Sequence, residues 1–187
     1  MAGFSEVARQ LTHICAGGFA LLLRWTTWQQ AALLAITAFL VNVLILPRFS
    51  RQVFRPGDLD RLFKSGIAIY PLSVLGLILL FPARPDIVAM SWAVLAAGDG
   101  FATMVGAHVR TRALPWNRAK SIGGLVAGVI AAALAAIGLG LWTAQGMAAP
   151  PPFWFLIAAP IAAAVVAGFV ETVPIGLNDN MPAGKWN

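Results

Sequence analysis

The chain has 187 residues, of which 59% are hydrophobic and only 11% charged, and its formal net charge is +6. Soluble domains carry about 25% charged residues. That shortage, with long runs that are apolar all round, excludes an ordinary soluble helical domain and points to an all-α, polytopic membrane helical bundle. The surplus of positive charge is not a nucleic-acid footprint, because in a membrane protein the meaning of Lys and Arg lies in which loops hold them.

Six helices are expected. The first spans residues 4–23. Glu6, Arg9 and His13 fall on one of its faces at steps of three and four. No small-residue cleavage pattern follows it, so it reads as a retained helix rather than a signal peptide. Cys15 within it is the single cysteine, so no internal disulfide is possible. The second helix spans 28–46, anchored at the interface by Trp25 and Trp28 and ended by Pro47. A basic loop follows, with Arg48, Arg51, Arg55, Arg61 and Lys64 against Asp58 and Asp60. It reads as a solvated loop facing anionic lipid.

The third helix spans 65–81 with Pro71 inside it, and the fourth starts near Asp86 and runs to about Val109. Within the fourth, Gly98-Asp99-Gly100 is expected to break or open the helix at membrane depth. A carboxylate there costs roughly 2.5 to 3.5 kcal/mol on insertion scales, so its default reading is a site. A basic, Pro-containing hairpin comes next, with Arg110, Arg112, Pro115, Arg118 and Lys120. The fifth helix spans 121–144 and is built of Gly and Ala. Its Gly124-xxx-Gly128 spacing permits close helix contact, and packing is also the reading for Gly138 and Gly140. Pro150-Pro151-Pro152 makes a stiff turn. The sixth helix spans 153–173, with Glu171 in its last turn.

With six spans, alternate loops face opposite sides. Arg24 and Arg84 alone lie on one side, and the other eleven Lys and Arg lie on the second, which the positive-inside bias makes cytoplasmic together with both termini. Glu6, His13, Asp99, Lys120, Ser121, Glu171 and Asp179 all belong to that half. Carboxylates beside cations suit a divalent metal bound to phosphates, and magnesium takes one or two carboxylates plus substrate phosphates. Lys120 and the arginines can hold phosphate oxygens. Ser121 opens the fifth helix, whose first N–H groups are expected to receive an anion. These are the parts for phosphoryl or nucleotidyl transfer. His108 reads as structural. No Walker-type loop, zinc spacing or Ser-His-Asp pattern is present.

Four motifs in order resemble the CTP-dependent polyprenol, phytol and dolichol kinases, a family similar to the CDP-diacylglycerol synthases. Glu6-Val7-Ala8-Arg9-Gln10-Leu11-Thr12-His13 resembles Glu-x-x-Arg-Lys-x-x-His, with Gln10 in the lysine's place. Gly98-Asp99-Gly100-Phe101-Ala102-Thr103-Met104-Val105-Gly106 is similar to Gly-Asp-x-x-Ala-x-x-x-Gly. Leu114-Pro115 through Lys120-Ser121-Ile122-Gly123-Gly124 is similar to Leu-Pro-x-x-x-x-Lys-Ser-x-x-Gly, although many members have Glu where Gly123 stands. Glu171 with Asn178-Asp179-Asn180 resembles a late Glu followed by Asp-Asp-Asn, with Asn178 replacing an acid. The family usually continues into another apolar helix. Here seven residues follow Asn180, so residues 1–187 read as a single integral membrane domain that either is cut short of that last helix or closes its bundle differently.

The resemblance implies phosphoryl transfer from CTP or a related nucleotide to the hydroxyl of a lipid alcohol. It implies magnesium as cofactor and a multi-pass protein of a bacterial cell membrane with its site on the cytoplasmic side. Asp99 and Asp179 would be metal ligands. Asp99, Glu171 and His13 are the catalytic candidates, His13 handling the acceptor hydroxyl or orienting its neighbours. Lys120, Ser121 and Arg118 would bind nucleotide phosphates, with Gly98, Gly124 and Asn180 as further positions of the nucleotide site. The alternatives are a cytidylyltransferase making a CDP-lipid and a non-enzymatic transporter or membrane subunit. Phytol, a polyprenol, dolichol and diacylglycerol all present one hydroxyl on an apolar body, and the residues leave that choice open.

Overall fold

The structure, a computed structural model, describes residues 6–49, 66–109 and 111–174, and the side chains among them from residue 9 onward. The basic loop 50–65, Arg110, the Glu6 side chain and the tail with Asn178, Asp179 and Asn180 lie outside the described residues. α1 (Glu6–Gly17) runs on as a 3₁₀ turn over Gly18–Arg24. α2 (Trp28–Leu40) continues through a π turn (Val41–Ile45) into α3 (Leu46–Phe49). α4 (Gly66–Leu80) and α5 (Pro85–His108) follow. A two-stranded antiparallel hairpin, β1 (Ala113–Leu114) and β2 (Asn117–Ser121), leads into α6 (Ile122–Ala144), and α7 (Phe153–Thr172) closes the described chain.

All six expected helical segments are present within a few residues of their expected limits. Among the described residues, four are long and apolar enough to cross a membrane: Trp28–Phe49, Pro85–His108, Ile122–Ala144 and Phe153–Thr172. Gly66–Leu80 is a shorter apolar helix. Large apolar side chains such as Leu33, Leu134, Trp154 and Phe169 point outward, as helices facing hydrocarbon require. The described residues form an all-α membrane bundle with one small hairpin.

α5 is its axis. Of its span, 44% is buried, against 17–22% for the other three. Val88 and Ala89 join the apolar cluster with Ala20, Ala31, Val74 and Ile78, while Met90, Ala93 and Val94 join the one with Ala132, Ala136, Leu156 and Ala164. Lipid tails are as apolar as Leu, so helices in a membrane associate through close contact rather than through removal from water. The α5–α6 seam shows this. A Cβ added at Gly128 would lie 2.8 Å from the Ala102 Cβ and 3.0 Å from the Gly98 carbonyl oxygen, and one at Gly124 would lie 2.8 Å from the Ala102 carbonyl oxygen. Small residues four apart on each helix let the two backbones meet.

That seam corrects the expected break at Gly98-Asp99-Gly100, which is continuous helix. A Cβ at Gly100 would strike the Ile14 side chain at 2.7 Å, and one at Gly98 would touch the Ala132 Cβ at 3.4 Å. The glycines flank Asp99 because α1 and α6 press on the two sides of α5. Close contact offsets their propensity cost of about 1 kcal/mol each. Packing is likewise borne out for Gly140, which abuts Met90, but not for Gly138, which faces open space.

Pro47 does not end its helix either; the chain stays helical to Phe49. A proline ring clashes with the carbonyl four residues earlier, and the π turn just before it widens the coil there. The same turn aids a second proline. Pro71 has no N–H for the carbonyl of Ile67, and Asn42 Nδ2 donates to that oxygen at 3.0 Å.

Candidate active site

The hairpin brings the cation-rich loop back over the ends of α5 and α7. Trp116 Nε1 donates to Thr172 Oγ1 at 3.0 Å, Asn117 Nδ2 donates to the Thr172 carbonyl at 3.1 Å, and the Trp116 ring stacks on Phe169. Leu114 is buried beneath the turn. β2 then delivers Ser121 as the N-cap of α6, its Oγ accepting from Gly124 N–H at 3.1 Å.

Between α5, the hairpin, α6 and α7 lies a cavity of about 890 Å³. Its mouth holds Thr111, Arg118, Lys120, Ser121 and Glu171. Asp99 and Thr103 face it from α5, and its deep end is apolar, closed by Val94, Ala132 and Ala164. From Ser121 to Ala132 the α6 wall is about 16 Å long at 1.5 Å per residue. Lys120 Nζ donates to Glu171 Oε1 at 2.6 Å across the mouth, both side chains remaining well exposed. Gly106 lies beside Ser121, so Asp99, seven residues back along α5, sits about 10 Å deeper.

Of the positions singled out from sequence, Gly98, Asp99, Arg118, Lys120, Ser121, Gly124 and Glu171 all line this cavity. Gly98 and Gly124 do so as parts of the helix seam. His13 does not line it. Its ring packs 4.1 Å from that of Tyr70, and its electrostatic neighbours are Asp99, Arg9 and the backbone of Leu95. It therefore stands behind Asp99 rather than in the cavity. Tyr70 in turn accepts a hydrogen bond from Trp92 Nε1 at 2.7 Å. Gln10, in the lysine's place, is fully buried close to Gly100, where a Lys charge would be costly. His108 Nδ1 lies 2.7 Å from the Met104 carbonyl oxygen, one turn back on α5.

Hard oxygen donors suit magnesium. Asp99 and Glu171 both line one cavity beside two cations, but at different levels, Glu171 at the mouth on Lys120 and Asp99 about 10 Å deeper, so they do not form one donor set for a single ion. Among the described residues no three His, Cys, Asp or Glu cluster as a self-sufficient metal site. Asp179 lies outside them.

The expectation for the α6 N-terminus needs correction. Its first N–H groups are already taken: Ile122 by the Arg112 carbonyl at 2.9 Å, Gly123 by Thr111 Oγ1 at 2.9 Å and Gly124 by Ser121. Sequence reasoning missed Thr111, Thr103, Trp116 and Thr172. Only the glycine at 123 hinted that something else fills the space above it.

The fold and cavity define a membrane-embedded bundle with a pocket whose lining holds Arg118 and Lys120 together with Asp99 and Glu171. Two curated relatives are similar to the chain. The chain is 27% identical over 190 residues to a soybean (Glycine max) protein described as "Probable phytol kinase 3, chloroplastic", covering 94% of this chain and 59% of that protein. It is 28% identical over 191 residues to rice (Oryza sativa subsp. japonica) "Probable phytol kinase 2, chloroplastic", covering 94% and 62%. This chain thus spans about three fifths of the length of those relatives. The resemblance to the phytol and polyprenol kinase family is borne out across nearly the whole chain. Both relatives are chloroplastic by description, so they lend no support to a bacterial membrane. No protein-family model matches the chain, and no solved structure does.

Proposed function

We propose that this protein is a membrane kinase that transfers the terminal phosphoryl group of CTP to the hydroxyl of an isoprenoid alcohol of the phytol class. One observation carries the reading: a single cavity joins a mouth of Arg118, Lys120, Ser121 and Glu171 to Asp99 and then to an apolar end. The roughly 10 Å between the Ser121 and Asp99 levels favours an elongated polyanion over a single phosphate. The apolar end favours a hydrocarbon chain meeting that polyanion end-on.

In this arrangement Arg118 and Lys120 bind and orient phosphate oxygens, and Glu171 keeps the Lys120 ammonium at the mouth. Small residues of α5 and α6 exclude water from the reacting end. His13, with Tyr70 beside it, braces α5 where Asp99 projects. Asp99 and Asp179 would hold magnesium, which supplies neutralisation of the charge on the transferring group. The acceptor oxygen forms its bond to the terminal phosphorus as the bond to the CDP leaving group breaks, and the hydroxyl proton is released. The site belongs to the cation-rich side of the membrane.

The test uses purified protein in lipid vesicles with phytol and CTP labelled at the terminal phosphate. Label in phytyl phosphate with release of CDP is the expected result. Pyrophosphate release would instead indicate nucleotidyl transfer, and no turnover with any nucleotide would defeat the kinase reading.

A further inference from the structure

Resting on the kinase reading above, we propose that Thr111 is a further nucleotide-phosphate ligand and that Gly123 is the residue that leaves room for it. A phosphate at a helix start ordinarily meets bare N–H groups. Here the N–H groups of Ile122, Gly123 and Gly124 already have oxygen partners within the chain, at 2.9, 2.9 and 3.1 Å. Two of those partners are hydroxyls. A hydroxyl has two acceptor lone pairs and one proton to donate. With a lone pair taken by a backbone N–H, the Thr111 and Ser121 hydroxyls each retain that proton for another acceptor. Both side chains line the cavity beside Arg118 and Lys120, so the acceptor that suits them is an anionic oxygen. The contact is charge-assisted, and the bound N–H polarises the hydroxyl further.

Position 123 controls this. A Cβ there would lie 2.7 Å from Thr111 Cγ2 and 2.8 Å from Thr111 Oγ1. Even alanine would displace the Thr111 side chain, so the glycine and the threonine form one unit. Thr111 acts from the strand-side of the hairpin and Ser121 from the helix cap. Together they set two hydroxyl donors at the mouth.

The test is steady-state kinetics with CTP and the alcohol varied separately, alongside thermal unfolding. Thr111→Val keeps the branched shape and removes the hydroxyl. It should raise the KM for CTP about tenfold and leave the KM for the alcohol unchanged. Thr111→Ser should restore the CTP KM to within about twofold of wild type. Gly123→Ala should raise the same constant, and adding it to Thr111→Val should make matters no worse, because the two act on one contact. If Thr111→Val lowers only the unfolding temperature and leaves the CTP KM intact, Thr111 is merely a cap and the inference is overturned. Additive effects of the two substitutions would also overturn it. Wild-type protein that turns over no CTP defeats the kinase reading and this inference together, whereas active wild type with an indifferent Thr111→Val defeats the inference alone.

Discussion

The two ends of the bundle use charge in opposite ways. At the end that holds Arg24 and Arg84, each of these cations is consumed by structure. Arg84 donates from Nε and from one terminal nitrogen to the two oxygens of Asp86, at 2.9 and 2.7 Å, and its guanidinium lies over the Phe155 ring. Asp86 is fully buried, and its hydrogen bonds hold the Arg84 pKa above the ordinary value. Arg24 lies 4.3 Å from the Trp142 ring centroid and donates to Gln145 Oε1 at 3.0 Å. Trp25 meets Trp142 edge-on, and Trp142 Nε1 donates to the Leu21 carbonyl, which ties the 3₁₀ turn to α6. At the other end Lys120 shares one half-exposed carboxylate, and Arg118 lines an open cavity. Charge that is locked pins helices together, and charge that is left in a cavity is available to a ligand.

Substitutions can break this contrast. The largest effect belongs to Asp99→Asn. Folding should survive, since the helix around it is set by glycine contacts, while the transfer rate should fall by about a hundredfold or more. Circular dichroism together with label transfer checks both halves. Lys120→Ala should raise the KM for the nucleotide about tenfold, yet cost little stability, because a pair this exposed contributes about 0–1 kcal/mol. Asp86→Ala should do the reverse. It removes two charged hydrogen bonds and should lower stability by about 1–3 kcal/mol, with activity per folded molecule unchanged. Arg84 can turn toward solvent, which keeps that cost below the value for a fully buried pair. The smallest effect sharpens the packing side of the contrast. Gly138→Ala, where nothing lies within 4 Å, should be neutral or stabilising by up to about 1 kcal/mol, whereas Gly128→Ala should destabilise. Paired unfolding curves would separate the two.

The helices were legible from sequence because long apolar runs, the Pro-rich turn before α7 and the bias of Lys and Arg each mark a boundary independently. The members of the cavity were legible as residue types but not as an arrangement. Asp99 was read as a break because glycines beside an acid look the same whether they open a helix or admit neighbours. Only the positions of Ile14 and Ala132 decide between those. Pro47 looks like a stop in the sequence because the π turn before it leaves no spacing signal. The α6 N-terminus looks open in the sequence because Thr111, which takes the Gly123 N–H, arrives from twelve residues upstream. His13 was grouped with the acids by motif and membrane depth, and neither says which side of α5 it occupies. Trp116 reaches Thr172 across 56 residues, a contact no local pattern encodes.

The central claim is that the cavity at the cation-rich end receives the nucleotide. Photolabelling of the protein in vesicles with an azido-substituted CTP, followed by peptide mapping, tests it most directly. The account predicts label that excess CTP displaces, in the segment from Thr111 to Ser121 or at the Glu171 end of α7. Displaceable label around Arg24, Arg84 or Trp142, with none at the hairpin, would contradict it.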